Sequence, residues 1–415
     1  MTFIDVSAFG ALGTGGDDTA AFEAACLAAN PGDRIHVGPG RFGLSRTLYP
    51  PCVIEGGDPI NSVIFALPEA QQPLIDIRDK TGAGVYSLGL EGNNTYSGTG
   101  SSTVGAISQG GNTAPVFNNR IHNCRFSKFK ADYWVLGFSA TMSQGPSIIG
   151  NAFITRPEDV RNTQDYLVAL YGDMSGYMFD TIIQRNTIDG EGVNNGICLF
   201  GGHRRFDISH NMINNMGTAN TVTDIGYGVL VYAMGSTYAE AATKCPAQGN
   251  ISNNIITNAT KAGIYAATAF ALTIDSNSVF GQSCAEDVSL PRGGIALVGC
   301  GNVSTTNNNL QDCYWGVSVA GEYSYDHFIS GNRIKSGRGG SPVGVKLSAA
   351  LAVDRRMTVT NNDVWLLSGG GRAFHHLMSG GDITIRNNSS RAAVHGLTDE
   401  HTFHREIGNN AFFPI

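Results

Sequence analysis

The chain has 415 residues, 54 of them glycine, with 15% charged residues and a formal net charge of −7 at pH 7. With no Lys/Arg cluster or basic stripe, nucleic acid is not an expected partner, because phosphate binding needs a positive face. No stretch is long and apolar enough to cross a bilayer, so no membrane partner is expected either.

The opening Met1–Asp5 lacks a basic segment followed by an apolar core, so no secretory signal is expected, and the compartment stays open between cytoplasmic, phage-borne and secreted after trimming. Residues 1 to 30 read as a cap. Asp17 and Asp18 precede the Ala-rich run Thr19 to Ala29, as a helix N-terminus prefers. Phe22, Ala25, Cys26 and Ala29 fall on one side at helical spacing, a face suited to closing the end of a stack. Arg34 to Phe42 then reads as strand, Gly-Pro-Gly turn, strand, and Cys52 to Gly57 continues the wall.

From residue 148 a pattern recurs: an apolar residue, two others, an asparagine, one more residue and usually a second apolar one. It is centred on Asn151, Asn186, Asn211, Asn254, Asn277, Asn332 and Asn362, with weaker copies at Asn308 and Asn388, and successive asparagines lie 23 to 43 residues apart. That spacing suits single coils of a solenoid rather than two-helix repeats of ~33 to 47 residues. Alternation on either side of the Asn predicts two short strands bent there, with the Asn itself supplying the left-handed backbone of the turn. Stacked side-chain amides would form a satisfied polar ladder inside the wall. Cys124 stands where the coil Ile121 to Phe126 would carry its Asn. A third strand starts after each variable loop, as at Gly196 to Phe200, Gly228 to Tyr232 and Gly263 to Tyr265. The prediction is one all-β domain: cap and N-terminal strand 1–30, coils 31–395 with three strands each, and a C-terminal tail 396–415 packed on the last coil.

Asp5-Val-Ser-Ala-Phe-Gly, Asp17-Asp18-Thr-Ala-Ala-Phe and Gly38-Pro-Gly-Arg-Phe42 resemble the N-terminal signature of right-handed parallel β-helix proteins of the pectate-lyase-like superfamily. The repeats extend that resemblance to about residue 395. It implies a single-stranded right-handed parallel β-helix among polysaccharide lyases, glycoside hydrolases, uronan epimerases and phage tailspikes, and one fold hosting many chemistries leaves the reaction open. For tailspike-like relatives it also implies homotrimers, for which the apolar Ala411–Ile415 is the candidate contact.

The resemblance places a polysaccharide along the third strand of each coil, with the preceding loop as one side of a groove. If Ile197, Val229 and Ile264 point inward, Tyr171, Phe200, Tyr232 and Tyr265 point outward, a strip roughly 15 Å long at ~4.8 Å per coil. Rings of this kind bind sugar faces, or are covered by loops. Glycoside hydrolysis needs two carboxyl groups ~5 to 9.5 Å apart, which one- and two-coil separations supply. The third strands carry none at the alignable outward positions, but their flanks do, at Asp165, Asp173, Asp189, Glu191, Asp224, Glu286 and Asp287. Glu191 and Asp224 precede consecutive third strands at similar offsets and form the leading acid/base pair, with Asp173 beyond the other strand end.

Two alternatives stand beside hydrolysis. A lyase acting on a uronic acid could use His203 and Arg204 as base and cation, and a non-catalytic glycan-binding adhesin or tailspike module would need neither. Arg333-Ile-Lys335 copies a polygalacturonase tripeptide but directly follows a ladder Asn, so it is expected in the wall. No cofactor and no metal are expected: the eight cysteines show no C-x-x-C spacing, and His375-His376 has no third ligand nearby in sequence. Most cysteines are expected as small buried residues, with Cys245 and Cys284 the one candidate pair.

Overall fold

The computed structural model describes residues 1–70, 73–93, 104–129, 132–155, 166–172, 177–190, 195–217, 226–234, 244–281, 293–321, 323–337, 342–348, 356–367, 371–377, 382–392, 395–399 and 405–414. The chain forms two compact units, an N-terminal one through Phe206 and a C-terminal one from Asp207 onward.

In the N-terminal unit each coil adds one strand to each of three parallel walls. Ser147–Ile149 pairs with Arg120–His122 and Ile182–Gln184, Ala152–Ile154 pairs with Arg125–Ser127 and Thr187–Asp189, and Tyr166–Gly172 pairs with Tyr133–Ser139 and Asn195–Gly201. The period-2 alternation decides which side faces in: Ile35, Ile54, Val85, Ile121, Ile148 and Ile183 form a fully buried column along the first wall. A short fourth strand, absent from the sequence reading, runs between the third strand and the next coil. It comprises Val116–Phe117, Met142–Gln144, Tyr177–Phe179 and His203–Arg204. Its two or three residues per coil are too few for periodicity to register.

The helix Thr19–Ala28 covers the first coils with Phe22, fully buried and edge-on to Phe42 at 5.6 Å between centroids. Its opening N–H groups are served by Asp17, whose carboxylate accepts from the Thr19 amide at 3.0 Å, while Asp18 turns away to accept from the Leu12 amide.

In the C-terminal unit the ladder runs Asn211, Asn254, Asn277, Asn308, Asn332, Asn362, Asn388 and Asn410, and from Asn254 onward each Oδ1 accepts from the amide N–H and the Nδ2 of the Asn one coil before. From Asn254 onward each Nδ2 also reaches a backbone carbonyl of the preceding coil, as Asn254 does at Ile208. In the N-terminal unit Asn151 bonds Asn186 likewise, and Cys124 starts the ladder, its amide donating to Asn151 Oδ1 at 2.9 Å. The left-handed residue is not the ladder Asn but the one before it: His210, Asn253, Ser276, Asn307, Gly331, Asn361, Asn387 and Asn409 all have positive φ. A left-handed Asn would swing its amide out of the stack, so the turn conformation falls to its neighbour.

The weakest copies are full members, and the coil continues past residue 395. Arg405–Gly408 pairs with Asp382–Arg386, and Ala411–Pro414 pairs with Ser389–Ala392. The expected tail is therefore a further coil, with Ile407 and Phe412 flanking Asn410 at the same spacing as in the other copies.

Candidate functional site

The third strand of the N-terminal unit carries aromatic residues at both ends of its outward face. Tyr133 and Tyr166 are register partners near the start, stacked at 5.9 Å, and Tyr171 and Phe200 are partners near the end, stacked at 4.6 Å and 14°. Rings from opposite ends meet edge to face, Tyr133 on Tyr171 at 5.8 Å and Tyr166 on Phe200 at 5.3 Å, and the hydroxyls of Tyr133 and Tyr171 share a 2.8 Å hydrogen bond. The outward residues between them, Ala169 and Cys198, are small and fully buried. Small residues in the middle let long rings at the ends close above the strand, and each pair is worth about 0.5–1.5 kcal/mol beyond its buried area. Burial, reinforced by the Tyr133 hydrogen bond, pushes the Tyr171 phenol well above its ordinary range, so it stays protonated.

The expected strip is thus replaced by a compact cluster. Tyr171 and Phe200 are brought together, but in the C-terminal unit Tyr232 is the partner of Ala267 and Tyr265 that of Leu230. Tyr232 is largely exposed, and Tyr265 packs on Tyr227 at 5.2 Å. The error lies in offset: Tyr232 is three residues past its inward Val229, whereas Tyr265 is one past Ile264.

Beyond the third strand, the fourth brings charge to the rim. The Arg204 guanidinium lies 5.5 Å from the Tyr177 ring centroid. Arg205 lies over Phe179 and grips Asp180 through Nε and Nη2 at 2.7 and 3.1 Å, which holds the Asp180 carboxyl below its ordinary range. Gly172 must remain glycine there, since a Cβ would come within 2.6 Å of the Gly202 carbonyl on the way into this strand.

His203 does not share the rim with Arg204. Alternation within His203–Arg204 turns the imidazole inward, where it is fully buried with Nε2 3.0 Å from the Leu170 carbonyl. Burial lowers its pKa to about 4, so the ring is neutral at pH 7 and Nε2–H donates. This corrects the lyase reading, which took both residues as groove groups. Asp165, Asp173, Glu191, Asp224, Glu286 and Asp287 lie outside the described residues, as does Cys284. Asp189 ends a second strand, half-buried.

Among the described residues no cluster of three His, Cys, Asp or Glu could hold a metal ion. His375 and His376 diverge, one outward and one buried. Arg333 and Lys335 flank the buried Ile334 on a second strand, in the wall as expected. The cysteines Cys52, Cys124, Cys198, Cys245, Cys300 and Cys313 are buried, and burial raises the Cys124 and Cys300 thiols to about 12, which makes them packing groups.

No family profile and no curated protein matches the sequence. Solved structures do match its fold. The catalytic unit of a GH87 α-1,3-glucanase from Streptomyces thermodiastaticus aligns at TM-score 0.59 and 15% identity, covering 98% of this chain and 68% of that one. An exopolygalacturonase of family 28 from Yersinia enterocolitica aligns at TM-score 0.57 and 11% identity, covering 100% and 79%. The A-module of a mannuronan C-5 epimerase from Azotobacter vinelandii aligns at TM-score 0.54 and 12% identity, covering 100% and 98%. The chain folds as a right-handed parallel β-helix.

Two parts of this β-helix site escaped the sequence reading. Tyr133 and Tyr166 carry no outward signal in the sequence: both stand two residues before an inward valine, Val135 and Val168, where strict alternation would turn them inward. Tyr177 was missed with the whole fourth strand.

Proposed function

We propose that the protein is a carbohydrate-active β-helix that binds a polysaccharide or oligosaccharide along its third strands and cleaves it by hydrolysis. The observation that carries the reading is the cluster of Tyr133, Tyr166, Tyr171 and Phe200 on the outward third-strand face, with Arg204 over the Tyr177 ring on the fourth strand that follows. Packed rings with their edges and hydroxyls fixed offer a rigid apolar platform with a hydrogen-bonding margin, which suits the alternating CH and OH faces of a sugar. The fold neighbours supporting it are, by name, a glucanase, an exopolygalacturonase and a mannuronan epimerase.

The acid/base assignment rests on sequence position: Glu191 and Asp224 are the leading pair and Asp173 the reserve. Hydrolysis needs a proton donor to the leaving oxygen and a carboxylate that activates water or attacks the sugar carbon. Arg204 would hold a substrate oxygen. The test is release of reducing ends from a panel of neutral and acidic polysaccharides by wild type, Glu191→Gln and Asp224→Asn. Loss of at least about a hundredfold in both variants is expected; full activity in both would overturn the assignment.

A further inference from the structure

The C-terminal unit has a second functional-looking face. On its third strands Ser318, Lys346 and His375 are register partners in consecutive coils, facing outward about 4.8 Å apart. Three residues earlier on the flanking strands stand Trp315 and Arg372. The Lys346 ammonium lies 3.7 Å from the Trp315 ring centroid, and Arg372 Nη1 lies 3.0 Å from His375 Nε2. A guanidinium only donates, so Nε2 accepts and the imidazole carries its proton on Nδ1.

Lys346 and Arg372 bring two cations to this row. Among the described residues no carboxylate pairs with Lys346, and its half-burial lowers its pKa without an opposing charge. At the floor of the row the Ser318 hydroxyl is 1% exposed and has no hydrogen-bond partner. Buried polar groups are nearly always paired, so an orphan beside a desolvated ammonium marks a place where an outside acceptor fits. Such a collection of donors is unexpected on a chain of net charge −7.

We infer that Ser318, Lys346, Arg372 and His375, backed by Trp315, form a subsite for the carboxylate of an acidic sugar unit, a specificity that rests on the glycan-binding reading above. Lys346 and Arg372 supply charge-assisted hydrogen bonds, Ser318 the hydroxyl donor, and the indole holds the ammonium in place.

The test is binding of the 415-residue chain to a printed panel of uronic-acid-containing, sulfated and neutral oligosaccharides, with a carboxyl-reduced counterpart of each uronic acid ligand. Tighter binding of the carboxylated form by about tenfold or more is expected. Lys346→Gln and Arg372→Gln should each remove most of that preference, Lys346→Arg should keep it, and unchanged melting temperatures would show that the variants fold. Equal binding of carboxylated and carboxyl-reduced ligands overturns the subsite while leaving glycan binding intact, and preference for sulfated ligands alone overturns the carboxylate assignment. No binding to any member overturns both readings. The ligand-side comparison uses only the wild-type chain, so it decides the matter even if a variant fails to fold.

Discussion

The third-strand faces of the two units have the same backbone and opposite chemistry. Counting from the inward residue of each strand, the N-terminal unit places rings two before it, Tyr133 and Tyr166, and three after it, Tyr171 and Phe200, with the small Ala169 and Cys198 one after it. The C-terminal unit places Trp315 and Arg372 two before, Ser318, Lys346 and His375 one after, and the small Ala320 and Ser348 three after. Small residues in the middle let rings from both ends close into a roof. Moving the bulk to the middle exchanges that roof for a row of donors. The β-helix fixes where side chains stand, and residue size at three offsets decides whether the face offers rings or charge.

That comparison can be broken at several levels. The largest effect should come from removing the shared backbone support. Asn308→Ala deletes the acceptor for the amide and Nδ2 of Asn277 and the donor to Ile274 O. With buried unpaired groups costing ~1–3 kcal/mol each, a loss of about 3–5 kcal/mol is expected in urea titrations.

Next in size is a pH effect present in both units. His203 in one and His327 in the other are fully buried, bond a carbonyl through Nε2, and have pKa values lowered to about 4 mainly by burial. The unfolded imidazole titrates near 6.5, so between about pH 6.5 and 4 the unfolded chain takes up protons that the folded chain refuses. Stability is therefore full above that window and falls with pH through it, by roughly 2 kcal/mol per histidine between pH 7 and 5. Replacing either histidine by Asn should flatten the pH dependence of the urea midpoint, and an unchanged slope would contradict the burial argument.

A smaller effect sharpens the contrast between faces. Tyr171→Ala with Phe200→Ala should weaken neutral oligosaccharide binding by about tenfold or more, whereas Tyr171→Phe, which keeps the stack and loses only the hydroxyl bond to Tyr133, should change it by about threefold or less. Calorimetric titration reads both. Smallest of all, Arg333→Ala and Lys335→Ala, on a second strand, should leave glycan binding unchanged by the same titration.

The fold was legible because a ladder asparagine must be an asparagine. No other side chain of that length carries both a carbonyl acceptor and a two-proton amide donor, so Asn151 through Asn388 recur with enough constancy to be read. The site was less legible. Tyr171 and Phe200 emerged from alternation alone, but Tyr133 and Tyr166 required the strand starts, which follow loops of irregular length. His203 was misread because a two-residue strand has no periodicity to reveal which member turns inward. Lys346 and Trp315 were invisible in sequence: they lie 31 residues apart and meet only because their strands stack in register.

The most direct test of the central claim is incubation of the full chain with neutral and acidic polysaccharides in ¹⁸O-labelled water, followed by mass spectrometry of any oligosaccharides released. Hydrolysis predicts products carrying one labelled oxygen at the new reducing end. Unlabelled unsaturated products would contradict it in favour of elimination, and the absence of products from every polysaccharide that binds would contradict catalysis itself.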